Sequence, residues 1–289
     1  MNCTQCPRKC GSARKDGNGF CGLKDEIKIA LARPHFGEEP IISGTHGSGT
    51  IFFSGCNLHC VFCQNYELSH ENFGKIVDVA RLAEIFKELE MAGVHNINLV
   101  TPTPYVDYII KALKIYRPKI PILYNTNGYE SVESLQKLKD YIDIYLTDLK
   151  YTDNALAKKY SSCSDYFEVT TKAIKQMRKN VPQDIIENGL MKKGIIVRHL
   201  VLPSHTEDSI KVFDWIKNNL GVNTYISVMG QYTPMYKSCE FSEINRTITK
   251  LEYKRVITHL SNLGFEKGFV QDLDSSGTSE IPKFDLMGV

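Results

Sequence analysis

The chain has little of several features that mark other classes of protein. Its 289 residues include a single tryptophan, and the formal net charge is only +2. A charge so close to neutral offers no basic surface to nucleic acid or to an anionic membrane. The sequence has no apolar run of about 18 residues, as a membrane-spanning helix requires, and no secretory h-region at its N-terminus. We therefore expect a cytoplasmic protein without a nucleic-acid or membrane partner.

The composition is that of a globular enzyme. Hydrophobic residues make up 42% of the chain and charged residues 24%, which is enough to bury the core of one large domain. The chain has nine cysteines and no export signal, and this combination argues against a disulfide framework. Seven of the nine fall in two short clusters, an arrangement typical of metal sites.

The more informative cluster is Cys56, Cys60 and Cys63, with the spacing C-x-x-x-C-x-x-C. Thiolates this close together select soft metals, above all iron–sulfur clusters and zinc. A closed structural site takes four protein ligands, so three thiolates on a cubane leave one iron free to bind a substrate or cofactor. Half of a zinc site and three buried thiols are the alternatives.

The run of residues 44–65, which includes this triplet, resembles the radical S-adenosylmethionine (SAM) superfamily, and within it the pyruvate formate-lyase activating enzymes and their uncharacterised relatives. The resemblance implies a 4Fe–4S cluster on the three cysteines, SAM at the open iron and Phe62 near the adenine. It also implies reductive cleavage of SAM to a 5′-deoxyadenosyl radical that abstracts a hydrogen atom, as when an activase installs a glycyl radical in a partner enzyme. A flavodoxin- or ferredoxin-type protein would donate the electron. A radical enzyme acting on a small molecule and a non-catalytic iron–sulfur or zinc protein remain open.

The rest of the chain alternates strand-like and helix-like segments, as parallel βα units do. The predicted strands cover residues 50–54, 97–101, 120–124, 142–146, 195–202 and 224–228, and a last helix covers residues 250–263. Six such units predict an α/β fold, a partial (β/α)6 barrel of the radical SAM type, in residues 41–289. A polar stretch between Pro34 and Pro40 separates this domain from a small Cys-rich metal-binding segment, residues 1–40.

Parallel barrels gather their chemistry at the carboxyl ends of the strands. Thr101 and Thr103 follow the second strand, where radical SAM proteins often hold the cofactor's amino group with a Gly-Gly-Glu segment that this chain lacks. Thr126 and Asn127 match the Asp-Thr-Asn-Gly of the activases, with Asn125 in place of the Asp. The resemblance makes all four residues, Thr101, Thr103, Thr126 and Asn127, candidates for SAM binding, and plain turns are the alternative.

The next two strands carry charged candidates. Asp148 and Lys150 resemble the Asp-Leu-Lys of the activases, and Arg198 matches an arginine placed five residues before a proline. The resemblance makes Asp148 a candidate ligand of a cation or ribose, and Lys150 and Arg198 candidate partners of a carboxylate. An Asp–Lys ion pair at the rim is the alternative. Because successive strand residues face opposite sides, we expect Arg198 rather than His199 to face the interior.

The second cluster, Cys3, Cys6, Cys10 and Cys21, has the spacing C-x-x-C-x-x-x-C-x10-C. Four thiolates complete a closed site, which zinc or an auxiliary iron–sulfur cluster would satisfy. We prefer zinc slightly, because a short turn-rich ribbon needs no redox partner. A bound metal would order residues that have almost no apolar core of their own. Four free thiols are the alternative.

Overall fold

The computed structural model describes residues 3–17, 19–273 and 282–289. One sheet dominates these residues. Its strands are β1 (Ile27–His35), β2 (Ser48–Phe53), β3 (Lys75–Val77), β4 (Ile97–Val100), β5 (Ile122–Thr126), β6 (Ile144–Asp148), β7 (Ile185–Glu187), β8 (Leu190–Leu200), β9 (Tyr225–Met229) and β10 (Gly268–Val270).

Helices follow most of the parallel strands. They are α1 (Pro40–Ser43), α2 (Tyr66–Ser69), α3 (Val79–Met91), α4 (Val106–Ile115), α5 (Val132–Lys137), α6 (Asn154–Ser161), α7 (Tyr166–Asn180), α8 (Thr206–Leu220) and α9 (Lys250–Leu263), with 3-10 turns at Thr103–Tyr105 and Ser238–Glu240. Several begin at the capping residues that their sequences contain. Thr249, for example, forms a capping box with Glu252 at the start of α9.

The sheet order is β10-β9-β8-β6-β5-β4-β2-β1-β3, with β7 paired to β8. Neighbouring strands from β2 to β10 along this order are parallel, whereas β1 pairs antiparallel with β2 and β3. Within the described residues, the edge strands β3 and β10 do not pair with each other, so the sheet does not close. The predicted α/β fold with six parallel strands is confirmed, and the sequence-based prediction omitted β1, β3, β7 and β10.

The two faces of the sheet pack against different layers. The outer face carries the main hydrophobic core, in which Tyr124, Tyr145 and Ile195 pack with the helices. The inner face has a small separate core, in which Ile42 of α1 contacts Leu123 and other strand residues. The short helix α1 therefore fills one end of the barrel interior, and the other end is left for a cavity.

The strand β1 joins part of the N-terminal region to the principal sheet. It forms backbone pairs with β2 from Ile29↔Phe53 to His35↔Ser48, so part of the predicted segment of residues 1–40 belongs to this sheet, and the division into two domains stays a prediction. The last residues of the chain also reach β1, because Leu286 N donates to Ala30 O at 3.1 Å. Among the described residues, no helix has both the length and the apolar composition needed to cross a bilayer.

Candidate active site

The three cysteines of the central triplet line one cavity of about 390 Å³ at the carboxyl ends of the parallel strands. The loop that carries them, residues 54–63, follows β2 directly. Cys56 is buried, and Cys60 and Cys63 are half-buried toward the cavity. The structure therefore brings the three predicted cluster ligands to one shared space.

Each of the three sulfurs has a polar side chain within hydrogen-bonding distance: Asn127 Nδ2 lies 3.3 Å from Cys56 Sγ, Ser161 Oγ lies 3.0 Å from Cys60 Sγ, and Ser69 Oγ lies 3.1 Å from Cys63 Sγ. Asn127 directly follows β5, Ser161 ends α6 and Ser69 ends α2, so the partners come from three different parts of the fold. Hydrogen bonds to ligand sulfurs stabilise thiolates and tune the potential of an iron–sulfur cluster. The donor set therefore fits a 4Fe–4S cluster.

Burial governs the protonation of these thiols. Burial, together with the charge of a neighbouring Cys60 thiolate, raises the pKa of Cys56 to about 12 and that of Cys63 to about 11. The pKa of Cys60 is also raised by burial, although Lys150 acts in the opposite direction. Three adjacent buried thiolates thus need positive charge close by, and bound iron provides it.

Aromatic contacts hold the start of the cysteine loop. Tyr105 is fully buried, stacks on Phe53 with ring centroids 5.0 Å apart, and donates its hydroxyl to Ser54 O at 2.7 Å. Gly55 follows with φ +74°, and a Cβ there would collide with the side chain of Leu23. The turn into the loop therefore requires glycine at this position.

The far side of the loop is anchored by α6. Val61 N donates to Tyr160 O at 2.8 Å, and His59 N donates to Ser161 O at 3.3 Å. Because Ser161 Oγ also contacts Cys60 Sγ, the C-terminal end of α6 both holds the cysteine loop and lies against the sulfur of Cys60.

Most of the residues predicted to bind SAM line the same cavity: Phe62, Thr101, Thr126, Asn127, Asp148, Lys150 and Arg198. Phe62 packs edge-on against Tyr232, with ring centroids 5.7 Å apart. Thr103 is different, because it is fully buried outside the cavity lining and donates its hydroxyl to Glu130. The structure therefore places Thr103 in the protein interior and not in the cavity lining, and its part in SAM binding stays a prediction.

Thr126 and Lys150 of the cavity lining already have partners within the protein. The Thr126 hydroxyl donates to the buried carboxyl of Glu130, and Lys150 Nζ forms an ion pair with Asp148. Burial disfavours the charged form of Lys150, but Asp148 and the Cys60 thiolate outweigh it and raise the pKa of the amine well above its ordinary value. Lys150 therefore stays charged beside the cysteines, and the ion pair considered from the sequence is present.

Arg198 faces the cavity floor, where it meets two carboxylates that the sequence reasoning missed. Its Nε donates to Glu39 Oε1 at 2.7 Å, its Nη2 donates to Glu39 Oε2 at 2.7 Å, and Nη2 also contacts Glu38. Despite the burial of Glu39, the charge of Arg198 lowers the pKa of the Glu39 carboxyl. His199 points the other way and contacts Ser209 Oγ at 2.8 Å, as strand alternation predicts.

The other carboxyl oxygen of Glu38 connects these charged side chains to the central strands β4 and β5. Glu38 Oε1 accepts hydrogen bonds from Asn98 Nδ2 at 2.7 Å and from Asn125 Nδ2 at 3.3 Å. The sequence contains one signal for this site, an adjacent pair of glutamates just before Pro40. This pair of glutamates does not by itself show that the loop before α1 enters the barrel interior. The polar sequence of the loop instead predicts a domain boundary.

The four N-terminal cysteines lie together beside the cysteine loop. All four line a small cavity of about 20 Å³, together with Asn57 of that loop. Within the described ranges, no three His, Cys, Asp or Glu side chains are arranged as the ligands of a single metal ion. Metal binding at these four cysteines stays a prediction.

A family model described as the radical SAM superfamily matches residues 50–216, more than half of the chain. The chain belongs to the radical SAM superfamily. Membership confirms the family predicted from the cysteine triplet, and it implies an enzyme with an oxidoreductase-type reaction that uses a 4Fe–4S cluster and SAM. The residues that line the cavity fit both cofactors.

Other comparisons give one relative in sequence and one likeness in fold. The chain is 34% identical over 267 residues to the uncharacterized protein MJ0674 of Methanocaldococcus jannaschii, covering 89% of this radical SAM chain and 73% of that protein. The structure of Streptococcus suis SuiB bound to S-adenosylmethionine matches 75% of this chain and 48% of SuiB, with a TM-score of 0.52 and 14% identity. That likeness is one of fold alone, and the chain spans about half of SuiB.

A domain of a pyruvate-formate lyase-activating enzyme from Bacteroides vulgatus matches 59% of this chain and 91% of that domain, with a TM-score of 0.41 and 13% identity. A likeness of this size carries no argument about the activase subtype. The target of this radical SAM protein is therefore a matter of proposal.

Proposed function

We propose that this enzyme abstracts a hydrogen atom from a partner polypeptide, as a glycyl-radical-enzyme activase does. The observation that carries the proposal is the polar part of the cavity lining. It includes uncharged amide and hydroxyl side chains, all of them half-buried: Gln64, Asn65, Gln231, Thr233 and Gln271. Such groups donate and accept hydrogen bonds, which is what the backbone of a peptide loop needs.

The position of the cavity supports the same reading. Phe269 of the edge strand β10 and Gln271 just after it line the cavity, so it extends to the edge of the described sheet. An opening at an edge admits a loop from the side, whereas an opening along the axis of a closed barrel admits narrower substrates. The proposed substrate is therefore an extended polypeptide segment that enters beside β10.

Within this proposal the three cysteines hold the 4Fe–4S cluster and the cavity holds SAM. When bound, the reduced cluster would supply one electron to the sulfonium of SAM, and cleavage of its C5′–S bond would give methionine and a 5′-deoxyadenosyl radical. Phe62 would pack near the adenine, while Asp148 and Lys150, which line the cavity, would present one negative and one positive group to the polar parts of SAM. The protein's own part is binding, orientation and exclusion of water.

The electron comes from a flavodoxin- or ferredoxin-type protein, and the proposed compartment is a reducing cytoplasm that keeps nine cysteines free of disulfides. A glycyl-radical enzyme is the proposed partner. These parts of the proposal rest on the reaction class, because an iron–sulfur cluster needs a one-electron donor of low potential.

A small-molecule substrate is the second candidate, and the cavity floor favours it. Arg198, Glu38 and Glu39 form a buried charged group there, with the side chains 15%, 8% and 5% exposed. Convergent buried polar groups are typical of sites that recognise small polar ligands. The two candidates predict different sources for the transferred hydrogen atom.

Isotope transfer distinguishes them. Cells of the source organism grown in deuterated medium supply an extract, which is separated into macromolecular and small-molecule fractions. Reconstituted enzyme is incubated anaerobically with SAM, a reductant and each fraction, and deuterium in 5′-deoxyadenosine is measured by mass spectrometry. We expect transfer from the macromolecular fraction, and we expect protease treatment of that fraction to abolish it.

Cys60→Ala is the matched control, because it removes one cluster ligand and should give no 5′-deoxyadenosine from any fraction. Deuterium transfer only from small molecules would contradict a polypeptide substrate and support the second candidate.

A further inference from the structure

The two serines that contact cysteine sulfurs of the radical site differ in what else they bind. Ser69 Oγ lies 3.1 Å from Cys63 Sγ and also donates to Asn65 O at 3.0 Å. A hydroxyl has a single proton, so Ser69 cannot donate to the sulfur while it donates to Asn65 O. The proton of Ser69 is therefore divided between two acceptors.

Ser161, the partner of Cys60, has no such competing carbonyl. Among the described residues its hydroxyl has two partners, Cys60 Sγ at 3.0 Å and the Tyr151 hydroxyl at 2.9 Å. Ser161 and Tyr151 are both fully buried, so solvent does not compete for either hydroxyl. The hydroxyls of Tyr151 and Ser161 thus form a row that ends at the sulfur of Cys60.

The direction of the protons along this row follows from its chemistry. A cysteine that binds iron does so as a thiolate, which accepts hydrogen bonds and has no proton to donate. Ser161 must therefore supply the proton of its contact with Cys60, and its oxygen then accepts the proton of Tyr151. The reverse order would leave the sulfur without the serine donor and the Tyr151 proton without an acceptor in the described part of the chain. Burial makes such a loss costly.

The surrounding structure holds Tyr151 in place for this contact. Its ring packs edge-on against Tyr166, with ring centroids 5.5 Å apart. The next residue, Thr152, donates its backbone N–H to Asp208 Oδ1 at 3.0 Å, in the first turn of α8. Burial raises the pKa of the Tyr151 hydroxyl well above its ordinary value, so the hydroxyl keeps its proton at neutral pH. Both the position of this donor and its protonation are therefore fixed.

We propose that Tyr151 is a positioning residue of the radical site, which acts through Ser161 to raise the reduction potential of the cluster. By donating to the serine oxygen, Tyr151 directs the single serine proton at Cys60 Sγ. Hydrogen bonds in a row also polarise one another, so each is stronger than it would be alone. A stronger donor at a ligand sulfur stabilises the reduced state, which carries one more negative charge than the oxidised state.

Control of the potential matters for this reaction class because the cluster has to accept an electron and then pass it to SAM. A lower potential makes reduction by a biological donor harder, and a higher one weakens the driving force toward SAM. Tyr151 and Ser161 are both neutral, so they adjust the potential without adding charge to the cavity that would hold SAM. The proposal concerns the cluster alone and does not depend on which substrate the enzyme uses.

Redox titration of the reconstituted enzyme tests the proposal. Tyr151→Phe removes the hydroxyl and keeps the ring, and the midpoint potential is measured anaerobically without SAM by electron paramagnetic resonance. We expect the equilibrium constant for reduction to fall by about two- to fivefold, which is a decrease of roughly 20 to 40 mV for one electron. A midpoint potential equal to that of wild type would overturn the proposal.

Tyr145→Phe is the matched control. It also removes a fully buried hydroxyl, but this one accepts from Asn180 Nδ2 at 2.9 Å in the main core and not at the cysteine loop, so the potential should not change. The iron content of each variant is compared with that of wild type first, so that a shift refers to an intact cluster. The signal that changes when SAM is added to a separate sample identifies the radical cluster.

A second variant shows whether Tyr151 acts through the serine. Ser161→Ala removes the donor to Cys60 and keeps the backbone carbonyl that holds the cysteine loop. It should lower the midpoint potential at least as far as Tyr151→Phe does, and adding Tyr151→Phe to it should cause no further change. A further decrease in the double variant would show that Tyr151 acts independently of Ser161 and would contradict the proposal. An unchanged potential in Ser161→Ala would also contradict it, even if Tyr151→Phe failed to fold.

Discussion

Glu130 should make the stability of this protein depend on pH. Its side chain is 1% exposed, and one carboxyl oxygen accepts hydrogen bonds from Thr103 and Thr126. The other oxygen, Oε2, is buried and has no partner in the described part of the chain. Burial raises the pKa of this carboxyl from 4.5 to about 7, although the two threonine hydroxyls act to lower it.

The sign and size of the effect follow from this shift. Because the pKa of Glu130 is higher in the folded state, its contribution to stability is fully present below pH 4.5 and is lost as the pH rises to about 7. A difference of 2.5 between the two pKa values corresponds to about 3.4 kcal/mol of stability in total. Roughly 2 to 3 kcal/mol of this stability is lost between about pH 5 and about pH 7.5.

Glu130→Gln should remove this dependence, since the amide is neutral throughout. Urea unfolding of metal-free protein under anaerobic conditions gives the free energy of unfolding of both proteins at each pH. The free energy of Glu130→Gln relative to wild type should rise by roughly 2 to 3 kcal/mol from about pH 5 to about pH 7.5. Glu133→Gln changes an exposed glutamate of α5 and should show no such rise. Parallel pH profiles for wild type and Glu130→Gln would refute the reasoning.

Three further variants test the cavity. Arg198→Met leaves two buried carboxylates without a cation and should lower the free energy of unfolding by about 3–5 kcal/mol; in the same urea assay, adding Glu39→Gln should restore part of the loss. Gly128→Ala places a Cβ against the backbone carbonyl of Asp148 at φ +84° and should cost about 1–3 kcal/mol by urea unfolding. Lys150→Met should weaken SAM binding by about 1.5–3 kcal/mol in calorimetric titration of the reconstituted enzyme, and unchanged affinity would make Lys150 a structural partner of Asp148.

The features that the sequence predicted are those determined by local pattern. Each of the six predicted parallel strands is present, with ends displaced by two residues or fewer at most positions, because apolar runs bounded by turns mark buried strands. The cysteine loop and most candidates for SAM binding line one cavity, since the carboxyl ends of parallel strands meet at one edge. The register places Asp148 opposite Arg198, which no local pattern could show.

The features that the sequence did not predict depend on contacts between distant residues. Glu39 and Arg198 are 159 positions apart, and only the fold brings them together. Thr103 carries a hydroxyl at a strand end, as Thr101 does, yet the 3-10 turn after β4 directs it into the interior toward Glu130. The strand β1 contains apolar residues, but its antiparallel pairing with β2 follows from the sheet edge and not from a βα repeat.

The side chains around the two groups of cysteines differ in charge, and this difference agrees with the numbers of cysteines, three in the radical site and four in the N-terminal group. The radical site gives its sulfurs neutral donors, Asn127, Ser161 and Ser69, and the nearby amine of Lys150 is already paired with Asp148. A cluster held by these three cysteines would be completed by SAM, which would bring a positive sulfonium into the cavity. The four N-terminal cysteines instead share their small cavity with Arg8 and Arg14, which have buried N–H groups without a hydrogen-bond partner among the described residues. A metal held by these four cysteines, as the sequence predicts, would therefore meet positive charge that the protein itself supplies.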